Sequence, residues 1–356
     1  YFYKEGDLRF SLSARMEYGD YANALPNNRY EWSHDKYHTS RELWGAFVNN
    51  EQLAGHFASG RETFGFDARL YLGTTELGFQ YLDTILDYGM EFPGDKITSL
   101  STWPEKQLSI YLKHSADLSD YIVSQTLIRY RRDNFTSGDS STVERYDNEV
   151  YLYYFQSLNY SISLLQNFQL DFTEDWSMSA GLSIENKNLS KGYLKEYGPS
   201  VSPDELDLDT YDWPTVLPND AHPEWQRRKP NVVGSYANLK WQPFDNHSVF
   251  VGGRLDYDPL FDPVSTLRLG YVARSGEFVA KLLWGQSYSE PSSRQMFGAW
   301  SAMADNAQLA PERSSTLEAV VSYTLESVEA LVDVYSVRIE DAIVNAGVNQ
   351  NRKILG

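Results

Sequence analysis

Apolar and polar residues alternate along thirteen stretches of this chain, most of them about ten residues long. Residues 64–72 and 177–185 show the alternation clearly, and in residues 8–18 it is uninterrupted. The apolar side of that first stretch consists of Leu8, Phe10, Leu12, Ala14, Met16 and Tyr18. Successive side chains of a β-strand point to opposite faces, so each stretch predicts a strand with one apolar and one polar face. Strands of soluble β-sandwiches also alternate, but they usually have about five or six residues, whereas about ten residues cross a tilted membrane. The pattern therefore favours an all-β fold, an antiparallel transmembrane β-barrel.

The connections between these strands alternate between short and long. The predicted strands are 8–18, 62–72, 76–87, 106–114, 121–132, 149–172, 176–187, 232–241, 248–257, 265–272, 277–287, 314–324 and 328–338. The short connections are 73–75, 115–120, 173–175, 242–247, 273–276 and 325–327, and the others are 19–61, 88–105, 133–148, 188–231, 258–264 and 288–313. Outer-membrane barrels have short periplasmic turns and longer extracellular loops. A further strand at Leu43–Asn49 would reverse this order for everything that follows, so we assign those residues to the first long loop.

The chain is expected to be one β-barrel segment over residues 1–356, because no Pro-, Gly- or Ser-rich linker divides it. Bacterial single-chain barrels have an even number of strands, whereas thirteen is odd, and the chain stops at Gly356 after an apparent loop with no closing strand. We therefore expect an internal segment of a larger barrel. Residue Tyr1 begins outside any charged and apolar leader, which indicates either a processed protein or a piece of a longer chain.

The amino-acid composition excludes several classes of partner and site. The formal net charge of −18 argues against nucleic acid as a partner, because phosphates are met by basic surfaces. There are no cysteines, so disulfides and thiolate metal sites are excluded within these residues. The chain has 26 Tyr and 9 Trp, which suit the two interfaces of a membrane as well as ligand contact. No apolar run approaches the roughly 18 residues of a transmembrane helix.

The second half of the chain contains several short motifs. They are Ser235-Tyr-Ala-Asn-Leu-Lys-Trp-Gln-Pro-Phe-Asp, Phe250-Val-Gly-Gly-Arg-Leu-Asp-Tyr, Leu267-Arg-Leu-Gly-Tyr, Lys281-Leu-Leu-Trp-Gly-Gln-Ser-Tyr-Ser-Glu-Pro-Ser, Asn306-Ala-Gln-Leu-Ala-Pro-Glu-Arg-Ser, Val332-Asp-Val-Tyr and Ile339-Glu-Asp-Ala-Ile. From about residue 235 to 356 the chain resembles the TonB-dependent receptors, the gated outer-membrane importers of Gram-negative bacteria. It departs from the usual family wording at Tyr288, Ser289, Glu290 and Ala307.

The resemblance implies a barrel of 22 strands around an N-terminal plug with a TonB box, of which this chain would supply about thirteen strands and no plug. It implies the Gram-negative cell outer membrane as the location, with outer-membrane lipid and lipopolysaccharide as surroundings. It also implies uptake of a small-molecule ligand such as a metal chelate, energised by the TonB complex through the plug. A ferric siderophore is the first candidate because it is the commonest family role. Neither a cofactor nor catalysis is expected.

Candidate ligand residues are aromatic and cationic side chains of the long loops and the lumen, because rings and guanidinium groups hold anionic chelates by stacking and charge. They are Tyr193, Tyr197, Tyr211, Trp213, Trp225, Arg227, Arg228, Arg254, Tyr288 and Trp300. The alternative for each is that it anchors its loop to neighbouring loops or to lipopolysaccharide.

The loop 188–231 also carries clustered carboxylates, which are ligands for calcium. The candidate ligands are Asp204, Asp207, Asp209 and Asp212. Their spacing lacks the EF-hand pattern, so a solvated acidic loop is the favoured interpretation.

Charges on the predicted lumenal faces form a further group, which consists of Arg129, Arg131, Arg254, Arg268 and Glu318. Residues Arg254 and Asp256 lie two apart on one face of a strand. We favour a structural charge network here over a ligand site.

Two other function classes stay open. A passive porin predicts mostly short loops with one inward-folded constriction loop. An outer-membrane hydrolase needs a nucleophile beside a histidine, and only His114 and His247 lie near strand ends, without a recognisable motif. By the same resemblance, a haem importer is expected to have a histidine between its Pro-Ser and Asn-x-x-Leu motifs. Residues 293–305 contain none, which disfavours haem as the ligand, although His34 and His38 in the first long loop stay open.

Overall fold

The computed structural model describes residues 2–20, 60–87, 102–135, 141–146, 149–190, 194–197, 227–297, 308–326, 328–345 and 354–355. These residues form β-strands and one short helix. The strands are β1 (Phe2–Glu5), β2 (Leu8–Asp20), β3 (Gly60–Leu72), β4 (Thr75–Asp87), β5 (Thr102–Ser119), β6 (Ile122–Phe135), β7 (Ser141–Tyr146), β8 (Glu149–Asp171), β9 (Trp176–Ser190), β10 (Leu194–Tyr197), β11 (Arg227–Arg228), β12 (Asn231–Phe244), β13 (His247–Tyr257), β14 (Val264–Ser275), β15 (Phe278–Ser289), β16 (Glu312–Leu325), β17 (Val328–Glu340), β18 (Val344–Asn345) and β19 (Ile354–Leu355), and the helix is α1 (Ser293–Phe297).

A single sheet holds 17 of these strands, and every pairing in it is antiparallel. Strands β1 to β6, β8, β9 and β12 to β17 follow one another as a meander. Strands β7, β10 and β11 pair with the outer ends of β5, β8 and β9. Among the described residues, no helix is long and apolar enough to cross a membrane.

The thirteen predicted strands are confirmed as the long strands of this sheet, with shifted ends. Strand β5 runs from Thr102 to Ser119 instead of 106–114, because Ser115 to Asp117 continue the ladder with β6 despite their polar, turn-like composition. A register shift follows at Asp117. The short strands β1, β7, β10 and β11 were not predicted, because two to six residues carry too little alternation to be recognised. The segment Leu43–Asn49 lies outside the described residues.

Short turns gather at one edge of the sheet, which we call the short-turn end; the opposite edge is the long-connection end. Residues 73–74 join β3 to β4, and residues 276–277 join β14 to β15. Gly73 and Gly276 have φ of 57° and 55°, a left-handed conformation that favours glycine. The predicted alternation of short and long connections is confirmed for the described strands.

The strand register extends the apolar face of each strand into one continuous surface. Leu12 is opposite Ala68, which is opposite Phe79, and Phe79 is opposite Ile110. Many large side chains on this face are exposed, including Ile162 at 58% and Leu182 at 57%. Exposed apolar surface of this extent is typical of a face that contacts a membrane or another protein. The sheet thus has the apolar face and the polar face that the sequence predicts.

Aromatic side chains border the apolar face at the short-turn end. The rings of Trp176 and Trp241 stack with centroids 5.2 Å apart. Those of His247 and Tyr271 stack at 5.8 Å. Membrane barrels carry such aromatic girdles where the apolar band meets the interface.

Candidate functional site

The polar face carries a charged group near the long-connection end, which we call the rim site and define as Lys187, Arg254, Asp256, Tyr288 and Glu290. The Arg254 guanidinium donates from Nε and a terminal nitrogen to the two Asp256 carboxylate oxygens, at 2.6 Å each. The Asp256 side chain is 5% exposed, whereas that of Arg254 is 46% exposed. Such a bidentate pair fixes the plane of the guanidinium. The exposed part of the guanidinium faces the polar side of the sheet.

The side chain of Tyr288 reaches this ion pair from the end of β15. Its hydroxyl interacts with the Asp256 carboxylate, and Arg254 lies close by. Strand β14 lies between β13 and β15 in the sheet. Its residues Val264 and Thr266 are 4% and 8% exposed. Strand β15 pairs with β14 only as far as Gly285 but stays paired with β16 to Ser289, so its end leaves β14 and Tyr288 reaches across to β13.

The chain beyond β15 continues across the polar face. Glu290 Oε2 lies 3.8 Å from Lys187 Nζ on β9. Strands β12, β13 and β14 separate β9 from β15 in the sheet. This ion pair therefore spans three strands, which only an inward-folded segment can do.

Helix α1 anchors the far end of this segment. The Ser292 backbone N–H donates to Gln295 Oε1 at 2.7 Å, and the Gln295 N–H donates to Ser292 Oγ at 3.2 Å, a reciprocal capping box. Met296 then packs in a buried cluster with Leu309, against which the partly buried Phe261 and Ile343 lie. Residues 288–297 are thus held by charge at one end and by apolar packing at the other.

A second polar group adjoins the rim site along β6, β8 and β9. The Arg131 guanidinium donates to Glu185 Oε1 at 2.8 Å. A concave surface of about 470 Å³ is lined on its polar side by Arg131, Asp133, Asn159, Ser161, Glu185 and Lys187, among others. This volume falls in the range of clefts for small ligands, about 300–1,000 Å³. Because Lys187 belongs to both groups, the two form one polar wall.

Of the predicted ligand residues whose side chains the structure describes, Arg254 and Tyr288 lie together. Tyr197 belongs to β10, and Arg227 and Arg228 form β11, but their side chains are outside the described part. The remaining candidates lie outside the described residues: Tyr193, Tyr211, Trp213, Trp225 and Trp300, with the calcium candidates Asp204, Asp207, Asp209 and Asp212. Within the described ranges there is no group of three or more His, Asp or Glu able to hold a metal ion.

The charged residues that were predicted to face the lumen differ in their contacts. Arg131 and Arg254 have carboxylate partners, but Arg129 Nε is buried and has no hydrogen-bond partner among the described residues. Arg268 and Glu318 line a separate concavity of about 510 Å³ nearer the short-turn end. Residues Lys187 and Glu290 were not predicted. The sequence signals available for them were that Lys187 lies on the polar side of a strand and that Glu290 lies inside the motif that begins at Lys281.

Removing Arg254 is expected to destabilise this end of the sheet. The change R254A leaves the buried Asp256 carboxylate without its two hydrogen bonds, a loss of about 1–3 kcal/mol. The double variant R254Q/D256N removes both charges and is expected to recover most of the loss. Urea unfolding of the protein in lipid vesicles, followed by Trp fluorescence, measures both. An R254A variant as stable as the unmodified protein would contradict a supporting role for this pair.

Comparison with known proteins identifies the architecture. The family model described as "TonB dependent receptor-like, beta-barrel" matches residues 2–355. No curated protein sequence gives a significant match.

Solved structures with the same fold include two receptors for ferric chelates and a copper transporter. The ferric yersiniabactin uptake receptor FyuA from Yersinia pestis is 12% identical with a TM-score of 0.60, covering 99% of this chain and 52% of that one. A variant of the ferric enterobactin receptor PfeA from Pseudomonas aeruginosa is 11% identical with a TM-score of 0.60, covering 95% and 49%. The copper transporter OprC is 13% identical with a TM-score of 0.58, covering 94% and 49%. The chain thus spans about half the length of these structures. With the family model matching nearly every residue, the chain belongs to the TonB-dependent receptor-like β-barrel family.

Proposed function

We propose that this chain is the barrel part of a Gram-negative outer-membrane receptor that takes up a scarce nutrient with energy delivered through TonB. The observation that carries the proposal is the inward-folded segment 288–297, which joins a concave, charged wall to the long-connection end. A passive porin would also have one inward-folded segment but mostly short loops, whereas 39 residues separate β2 from β3 and 40 residues separate β9 from β12. A receptor in addition needs shaped polar groups where ligand enters, and the concave wall supplies them. Family membership supports the same class of function.

The apolar face would contact membrane lipid, and the long-connection end would face the outside of the cell. The aromatic girdle of Trp176, Trp241 and Tyr271 would then lie at the periplasmic interface. A plug and the TonB complex are further partners of the proposed receptor.

A ferric siderophore is the proposed ligand class. The solved structures with this fold include receptors named for ferric enterobactin and ferric yersiniabactin, and also a copper transporter, so a transition metal is common to their names. The half-exposed Arg254 guanidinium and the Tyr288 ring offer charge and a flat surface to an anionic chelate. The aromatic and cationic residues of 188–231 remain predicted contacts, and calcium on its aspartates remains a prediction.

Uptake of labelled iron tests the proposal. The full-length gene is expressed in a Gram-negative host that lacks its own siderophore receptors, and uptake of radioactive iron is measured with ferric enterobactin, ferric yersiniabactin and other chelate classes. We expect saturable uptake of at least one chelate that disappears in a host without TonB. Uptake that is linear in concentration and independent of TonB would overturn the proposal in favour of a pore.

Charge reversal at the Lys187–Glu290 pair is expected to lower uptake. Either K187E or E290K places two like charges at 3.8 Å and pushes the inward-folded segment away from β9. We expect uptake to fall about fivefold in each single variant, which corresponds to a loss of about 1 kcal/mol in interaction free energy. The swapped variant K187E/E290K restores the attraction and should recover uptake. Equal defects in the single and double variants would show that the pair does not position the segment.

A further inference from the structure

Strands β14 and β15 separate before β15 ends. Among the described residues, Arg268 and Gly285 are the last opposite pair between them toward the long-connection end. If the same register continued, Leu267 would be opposite Gln286. Beyond this point β14 remains in its ladder with β13, and β15 remains in its ladder with β16. The two strands therefore diverge from Gln286 toward the long-connection end.

The side chain of Gln286 lies where the strands diverge. The Leu267 backbone N–H donates to Gln286 Oε1 at 3.2 Å. In a continued antiparallel ladder this N–H would donate to a backbone carbonyl of β15. The glutamine side chain therefore takes the place of the β15 backbone at Leu267. It keeps the two strands apart and at the same time satisfies a backbone donor that the separation deprives of its ladder partner.

The divergence explains how Tyr288 reaches the rim site. Its neighbour Ser287 lies on the polar face, where the Ser287 and Ser314 hydroxyl oxygens are 2.7 Å apart. Side chains alternate along a strand, so Tyr288 would be expected on the apolar face. Its hydroxyl instead interacts with Asp256, which lies beyond β14 on the polar face of β13. A cleft of about 170 Å³ lies at this divergence, and its lining includes Thr266, Ser287 and Tyr288. The Tyr288 side chain thus changes faces where β14 and β15 no longer pair.

We propose that Gln286 is a positioning residue, which turns the end of β15 toward the lumen and so places Tyr288 and Glu290 at the rim site. Its side-chain oxygen replaces the β15 backbone at Leu267, and the chain that follows is released from β14. Glu290 on the released segment then meets Lys187 on β9 at 3.8 Å. A single glutamine in a strand forms no recognisable sequence pattern, so this role emerges from the structure alone. Its consequence for uptake rests on the proposed function, whereas the direction of the segment does not.

Zero-length cross-linking measures the direction of the segment without any ligand. A carbodiimide condenses a lysine amine with a carboxylate in contact with it, and the resulting amide is quantified by mass spectrometry of peptides. On the full-length protein in detergent, the Lys187–Glu290 amide reports the inward-folded segment. The Lys106–Asp83 pair, with Nζ and Oδ2 3.5 Å apart on β5 and β4, is the internal control for folding and reagent.

Two variants separate the side-chain oxygen of Gln286 from its size. Q286L has a similar volume but no acceptor, so the Leu267 N–H is expected to pair with the β15 backbone and close the ladder. Q286E keeps an acceptor at the same position. We expect the Lys187–Glu290 yield to fall about tenfold in Q286L and to stay within about twofold in Q286E. The Lys106–Asp83 yield should be the same in both variants.

Iron uptake by the same variants connects this role to the proposed function. Uptake is expected to fall in Q286L together with the Lys187–Glu290 cross-link and to be kept in Q286E. If the unmodified protein takes up no chelate, the proposed function fails, but the cross-linking result still decides the role of Gln286. An unchanged Lys187–Glu290 yield in Q286L, or an equal loss in Q286L and Q286E, would overturn that role.

A cysteine pair gives a second measurement that does not need Q286L to fold. In a closed ladder Thr266 and Ser287 would be directly opposite, at a separation that allows a disulfide. With Gln286 in place, we expect T266C/S287C to form no disulfide under mild oxidation, as seen by mass spectrometry. Formation of that disulfide would show that the strands pair there, which would contradict the proposal.

Discussion

Replacing Leu182 by arginine is expected to destabilise the folded protein by about 2–4 kcal/mol in a lipid bilayer. Leu182 lies on the apolar face near the middle of the apolar stretch of β9, and 57% of it is exposed. On a membrane-spanning barrel that exposure means contact with acyl chains, where a guanidinium loses its hydration. On a soluble sheet the same exposure would mean contact with water, and the substitution would cost little.

The control for this change is Q169R, which puts the same side chain on the polar face. Gln169 is opposite Ser179, three residues from Leu182 along β9. We expect Q169R to stay within about 0.5 kcal/mol of the unmodified protein. Urea unfolding in phospholipid vesicles, followed by Trp fluorescence, measures the two variants side by side. Equal effects of L182R and Q169R would mean that the apolar face does not contact lipid.

Replacing Gly181 by valine is expected to cost about 2–4 kcal/mol through overpacking and a lost hydrogen bond. Gly181 is opposite Tyr236, whose ring crosses it so closely that a Cβ at Gly181 would lie 2.5 Å from the ring and 2.6 Å from Asn167 Oδ1. The Tyr236 hydroxyl donates to that same Asn167 oxygen at 2.7 Å. A side chain at residue 181 therefore has to move the ring and break this bond.

Gly253 supplies the matched control because it also lies inside a long strand. A Cβ there would meet Leu267 at 3.5 Å, an ordinary contact, so G253V is expected to be neutral or slightly stabilising as glycine is removed. The yield of folded protein and its unfolding midpoint in urea distinguish the two. If G181V and G253V behave alike, the tyrosine ring does not define the packing at Gly181.

The strands could be predicted from the sequence because alternation is a local property. Residues 8–18 show which of their side chains share a face before any partner strand is known, and the register of β2 with β3 confirms it. Strands β7 and β10 could not be predicted in the same way. They exist because the outer part of β8 offers them a partner, which is information from another part of the chain.

The rim site shows the same limit. The Arg254–Asp256 pair could be anticipated, since the two residues lie two apart on one strand. The Lys187–Glu290 pair could not, because it joins residues on opposite sides of three intervening strands. Only the inward fold of the chain after β15 brings them together, and no local pattern encodes that direction.

Labelling of single cysteines in intact cells is the most direct test of a membrane-spanning barrel with its long connections outside. These 356 residues contain no cysteine, so each introduced thiol is the only one they supply. Residues Asp262, between β13 and β14, and Glu277, in the turn between β14 and β15, are both exposed and lie at opposite ends of β14. With a maleimide attached to a polymer too large to pass the outer membrane, D262C should be labelled in intact cells and E277C only after the membrane is permeabilised. Labelling of both in intact cells, or of E277C alone, would contradict this topology.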